Sequence, residues 1–121
     1  MPVRKVLVVD DSKTELMVLT AMLEKNGLSV RTAENAEEAF RRLAQEKPDL
    51  ILMDVVMPGK NGFQVTRSIS RDPQYADVPI IMCTSKTQET DRVWGMRQGA
   101  RDYITKPVDA GELMAKIKAL N

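Results

Sequence analysis

Along this chain, short unbroken apolar runs alternate with segments whose apolar residues recur every three or four positions. Runs of the first kind read as strands buried on both faces, and segments of the second kind as helices that cover them, so the rhythm predicts a parallel sheet with helices on both sides. Residues 6–9 are wholly apolar and predict the first strand. Ser12-Lys13-Thr14-Glu15 follows as a capping box, and Leu16, Leu19, Met22 and Leu23 mark one face of a helix that stops at Asn26-Gly27. Residues 28–32 predict a second strand; Asn35 is placed to cap a helix carrying Ala36, Ala39, Phe40 and Leu43, which ends before Pro48. Residues 50–53 are the clearest apolar strand, with Asp54 at its carboxyl end.

Beyond Asp54, Met57-Pro58-Gly59 and Asn61-Gly62 carry turn chemistry, and Phe63, Val65 and Ile69 mark a helix broken at Asp72-Pro73. Residues 79–83 predict a fourth strand ending at Thr84-Ser85, residues 87–98 a helix closed by Gly99, and residues 103–105 a last strand ended by Lys106-Pro107. Asp109 to Glu112 resembles another capping box, opening a final helix with Leu113, Ile117 and Leu120. The expectation is five strands and five helices in one domain spanning 1–121, with no output domain.

Composition narrows the chemistry. Hydrophobic residues make up 43% and charged residues 29%, with both signs mixed and a net charge of +1, so no electrostatic footprint for nucleic acid or an anionic membrane is present. The chain has no histidine, which rules out histidine triads, histidine metal sites and phosphohistidine on this chain. Cys83 is the single cysteine, so no internal disulfide framework forms, and a buried, inert thiol is expected. The apolar stretch near the N-terminus is too short for a signal or a membrane span, and a cytoplasmic location is expected.

In a parallel sheet the carboxyl ends of the strands share one edge, where ligands bind at the point of strand-order reversal. That edge gathers Asp10 and Asp11 after the first strand, Asp54 after the third, Thr84 after the fourth and Lys106 after the fifth. Three carboxylates in one cleft repel one another and call for a cation; all-oxygen donors suit Mg²⁺, with Mn²⁺ as the alternative. Such an ion and Lys106 would neutralise the oxygens of a transferring phosphoryl group, leaving Asp54 as the nucleophile. The Thr84 hydroxyl could bond a phosphoryl oxygen only once the group is attached, a contact that biases a two-state equilibrium.

Asp10-Asp11, Asp54 followed by Met57-Pro58 and Gly62, Thr84, and Lys106-Pro107 together resemble the response-regulator receiver family, over essentially the entire chain. The resemblance implies a flavodoxin-like (βα)5 fold with strand order 2-1-3-4-5. It also implies a Mg²⁺ site formed by Asp11, Asp54 and the Val56 backbone carbonyl, with Asp10 helping through water. A cis Lys106-Pro107 peptide and Tyr103 as an aromatic switch that moves inward with Thr84 belong to the same expectation. Targets in this family dock near residues 87–98 and Tyr103, which makes Trp94 an anchor candidate. The wording of residues 57–64 and 93–100 is similar to the twitching-motility receivers of type IV pilus systems, although Lys60 stands where an apolar residue is expected. This implies a chemotaxis-like sensor histidine kinase as phosphodonor, a downstream protein target, and a monomer.

The expected function is a stand-alone signalling switch rather than an enzyme. A phosphate shuttle or sink in a phosphorelay is the alternative, and an aspartyl phosphohydrolase a remote one, since Val56 supplies no acid or base two positions after Asp54. Val56 and Lys86, two positions beyond Asp54 and Thr84, border the place where water would attack, and neither is suited to activate it. A long-lived aspartyl phosphate is expected.

Overall fold

The computed structural model describes residues 2–121. Strands β1 (Lys5–Val9), β2 (Ser29–Ala33), β3 (Leu50–Met53), β4 (Ile80–Thr84) and β5 (Asp102–Thr105) alternate with helices α1 (Lys13–Lys25), α2 (Ala36–Gln45), α3 (Gly62–Arg71), α4 (Glu89–Arg97) and α5 (Ala110–Leu120). All strand pairs are parallel, in the order β2-β1-β3-β4-β5. This is the doubly wound, flavodoxin-like arrangement expected. After β1 the chain crosses to the β2 edge and returns to place β3 on the other side of β1, so the tips of β1 and β3 flank a crevice.

Alternation along each strand divides the core in two. Leu7, Val9, Ile51, Met53, Ile80 and Met82 face one layer with Ala39 and Leu43 of α2 and Val65 and Ile69 of α3. Val6, Val8, Leu50, Leu52, Ile81, Cys83 and Ile104 face the other with Leu16, Leu19 and Leu23 of α1 and Leu113 and Ile117 of α5. Each such side chain removed from water contributes roughly 1.5–3 kcal/mol. The central strands read as unbroken apolar runs because both faces are covered.

Gly27 (φ +83°) closes α1 in the left-handed region, where the Leu28 amide donates to the Leu23 carbonyl at 3.1 Å. Strand ends differ from the expectation by a residue: β2 and β4 start and end one residue later, and β1 and β5 begin one residue earlier. Helix α4 begins at Glu89 rather than 87, because the Gln88 backbone is extended (φ −75°, ψ 146°) at the N-cap position, where its side chain makes no cap hydrogen bond. Met53 and Met82 fill core space as expected, whereas Met17 and Met96 are exposed. On the edge strand β2, Arg42 of α2 donates from Nε to the Thr32 carbonyl at 3.1 Å, and Arg31 pairs with Glu46 at 3.3 Å.

Candidate functional site

Register builds the site. Val9 lies opposite Met53, so the next residues, Asp10 and Asp54, leave neighbouring strand tips side by side. The Asp54 amide donates to the Val9 carbonyl at 2.9 Å, the Asp10 amide to Ala33 at 3.0 Å, and the Lys106 amide to Thr84 at 2.8 Å. Backbone hydrogen bonds therefore fix the bases of all three side chains.

Asp10 and Asp54 are buried, with 1% and 6% of their surface exposed, while Asp11 faces water. One carboxylate oxygen from each lies within 4.8 Å of the others. Lys106 Nζ donates to Asp10 Oδ2 at 2.5 Å and stands 3.5 Å from Asp54 Oδ1, while Asp10 Oδ1 accepts the Ser12 amide at 2.9 Å. Three carboxylates share one nearby ammonium, leaving an excess of negative charge in a partly dry cleft. An all-oxygen donor set of this kind, open to water at Asp11, fits a hard divalent cation.

Burial, and then the charge of Asp10, raise the pKa of Asp54, with Lys106 opposing. Burial works to lower the pKa of Lys106, but the Asp10 hydrogen bond and the charges of Asp54 and Asp10 outweigh it and hold the ammonium above its ordinary value. The Cys83 thiol is pushed up to about 12 by burial in β4, and is inert as expected.

Thr84 is fully buried at the tip of β4, and its Oγ1 accepts the Lys86 amide at 3.3 Å. The Tyr103 ring lies inward, and its hydroxyl donates to the Lys86 carbonyl at 2.8 Å. Burial, then the charges of Asp91 and Asp54, push that hydroxyl's pKa up to about 12, so it remains a donor. Lys86 Nζ reaches 4.0 Å from Asp91 and does not join the acidic cluster. Trp94 is half exposed on the outer side of α4 with Val93 and Met96; only Gly95 of this helix is buried. The Val56 side chain is 54% exposed between buried Val55 and Met57, and the Lys106-Pro107 peptide is cis.

Two features of the 61–64 turn are not evident from its residues. Ser12 and Asp109 form only the N-cap half of the boxes expected of them, whereas Asn61 and Gln64 form a complete one. The Asn-x-x-Gln spacing carried that signal, but Asn61-Gly62 also spells a turn. Gly62 also packs directly against the Asp54 peptide: a Cβ there would stand 1.9 Å from the Asp54 carbonyl oxygen.

Residues 6–118 match the family described as the response regulator receiver domain. The chain is 55% identical over 116 residues to Protein PilH of Pseudomonas aeruginosa, covering 96% of each. It is 40% identical to the phosphate regulon transcriptional regulatory protein PhoB of Escherichia coli, over 97% of this chain and 51% of PhoB. Among solved structures, chemotaxis protein CheY4 of Vibrio cholerae superposes with a TM-score of 0.91 at 29% identity, covering 98% of this chain and 99% of that one. The receiver domain of a histidine kinase from Syntrophus aciditrophicus superposes with a TM-score of 0.88 at 34% identity, over 97% and 89% of the two chains. The crevice at the tips of β1 and β3, the acidic cluster with its lysine and these matches agree: this chain belongs to the response regulator receiver domain family, and is a signalling protein of the two-component type.

Proposed function

We propose that residues 1–121 act as one switch unit in which Asp54 accepts a phosphoryl group from a sensor histidine kinase and thereby changes binding of a separate protein target. The observation that carries this reading is the placement of the Asp54 carboxylate, buried and raised in pKa, with Asp10, Asp11 and Lys106 around it. An Asp54 oxygen attacks phosphorus, forming an O–P bond as the N–P bond of a phosphohistidine donor breaks and its electron pair stays on the imidazole nitrogen. Lys106, anchored by Asp10, offers its ammonium to a phosphoryl oxygen, and Thr84 Oγ1 turns from the Lys86 amide toward another. Asp10, Asp11, Asp54 and the Val56 carbonyl would hold Mg²⁺, or Mn²⁺ in its place, which when bound neutralises charge on the phosphoryl group.

Downstream, release of the Lys86 amide by Thr84 frees the segment to which the Tyr103 hydroxyl is bonded, and the α4 surface around Trp94 is the target face. Similarity to PilH supports placement in a type IV pilus system, with twitching motility or chemotaxis-like signalling as the process affected. No described helix is long and apolar enough to cross a membrane. The test is incubation with MgCl₂ and a small acyl phosphate or phosphoramidate, followed by peptide mass spectrometry. A phosphate on Asp54, absent from Asp54→Asn, is expected; no adduct, or an equal one on the variant, ends this reading.

A further inference from the structure

We infer that Asn61 and Gln64, at the start of α3, are positioning residues for the divalent ion: their reciprocal hydrogen bonds hold the 55–61 loop, and with it the Val56 carbonyl, against the Asp54 backbone. The inference rests on the proposed reading of Asp10, Asp11, Asp54 and the Val56 carbonyl as a Mg²⁺ centre.

The loop is fastened at both ends to the same place. The Gly62 amide donates to the Val55 carbonyl at 2.9 Å. A Cβ on Gly62 would stand 1.9 Å from the Asp54 carbonyl oxygen and 2.9 Å from Val55 Cα, so the first residue of α3 touches the Asp54–Val55 peptide while its amide holds the Val55 carbonyl that leads into Val56. Only a glycine allows that approach. Holding a helix terminus there requires a rigid first turn. Asn61 Oδ1 accepts the Gln64 amide at 3.0 Å, and Gln64 Oε1 accepts the Asn61 amide at 3.0 Å. Among the described residues this is the one complete capping box: α1, α2 and α5 are capped on one side, and α4 has no side-chain cap.

Within the loop, Val55 and Met57 are anchored in the core on either side of exposed Val56. Lys60 Nζ rests 5.9 Å from the centre of the Phe40 ring, tying the far side of the loop to α2. A backbone carbonyl ligand cannot adjust by rotating a side chain, so its position depends wholly on how this loop is held. A loop ordered in advance spares the ion the cost of ordering it. Asn61 and Gln64 are at the surface or partly so, outside both core clusters, and can be altered without opening a cavity.

The experiment is calorimetric titration of MgCl₂ into the full chain and into Gln64→Ala, Asn61→Ala and Gln64→Glu, with the Mg²⁺ dependence of small-donor phosphorylation measured alongside. Loss of one half of the box weakens Mg²⁺ binding by roughly threefold to tenfold. Gln64→Glu, whose side chain can still accept from Asn61, remains within about twofold of the natural chain. The Mg²⁺ concentration giving half-maximal phosphorylation rises in Gln64→Ala while the rate at saturating Mg²⁺ is kept. A purely structural role would not produce that split. Exchange of the Gly62 amide in metal-free buffer quickens in the same variant. If Gln64→Ala and Asn61→Ala bind Mg²⁺ as the natural chain does, this inference fails alone; if the natural chain binds none, the metal-centre reading fails with it.

Discussion

The Tyr103 hydroxyl donates to the Lys86 carbonyl at 2.8 Å while the Lys86 amide donates to Thr84 Oγ1 at 3.3 Å, so one residue's peptide groups link the aromatic ring to the buried threonine. Tyr103→Phe keeps the ring's burial and removes only the bond. The expected cost is about 1 kcal/mol in denaturant unfolding, with faster amide exchange confined to residues 85–89. Unchanged exchange there would show that the bond does not restrain this loop.

Asp54 carries a second consequence. Its folded pKa is raised by burial and then by Asp10, so the native state holds that proton more tightly than the unfolded chain does. Stability contributed this way is full below the ordinary carboxylate pKa of about 4 and is lost as pH rises through the folded value. At neutral pH without divalent ions, Asp54→Asn is therefore more stable than the natural chain, and the difference shrinks on acidification. With MgCl₂ at about a hundred times its dissociation constant the natural chain gains about 2.7 kcal/mol, and the variant gains less. Thermal melts across pH, with EDTA or MgCl₂, check both parts.

Gly95 gives a packing test. A Cβ there would come within 2.8 Å of Met82 Sδ, 3.4 Å of Phe63 and 3.5 Å of Tyr103. Gly95→Ala forces the thioether aside at a cost of about 1–3 kcal/mol. In a Gly95→Ala, Met82→Ala pair the two penalties are less than additive, because the methyl group enters space the thioether has left. Strict additivity in urea melts would mean that α4 retreats as a body instead.

Lifetime is the fourth. Val56 is exposed two residues beyond Asp54, and its side chain offers no hydrogen bond to an attacking water. Val56→Asn should lose phosphate several-fold faster than the natural chain, followed by release of inorganic phosphate after donor removal. Slower loss in the variant would contradict the assignment.

How much of this was legible beforehand depended on which force fixes each feature. Val6 to Val9 and Leu50 to Met53 announced themselves because burial on both faces leaves no polar position, and register alone then brings Asp10 beside Asp54. The start of α4 was less legible: Thr87 looked a plausible opening, yet the Gln88 backbone is extended and the helix starts after it, a matter of local backbone geometry rather than composition. The Gly62 contact with the Asp54 peptide and the complete box at Asn61 stayed hidden for a similar reason, since a glycine's letter does not say which backbone it touches. Lys60, standing where an apolar residue was expected, keeps an apolar role in part by lying over Phe40.

Strand β2 forms one open edge of the sheet. A foreign strand seeking to extend β2 across Thr32 would have to pull the Arg42 guanidinium off the Thr32 carbonyl and pass the Arg31–Glu46 ion pair. Those arginines act as a hem on this border, making it a less inviting template for a further strand.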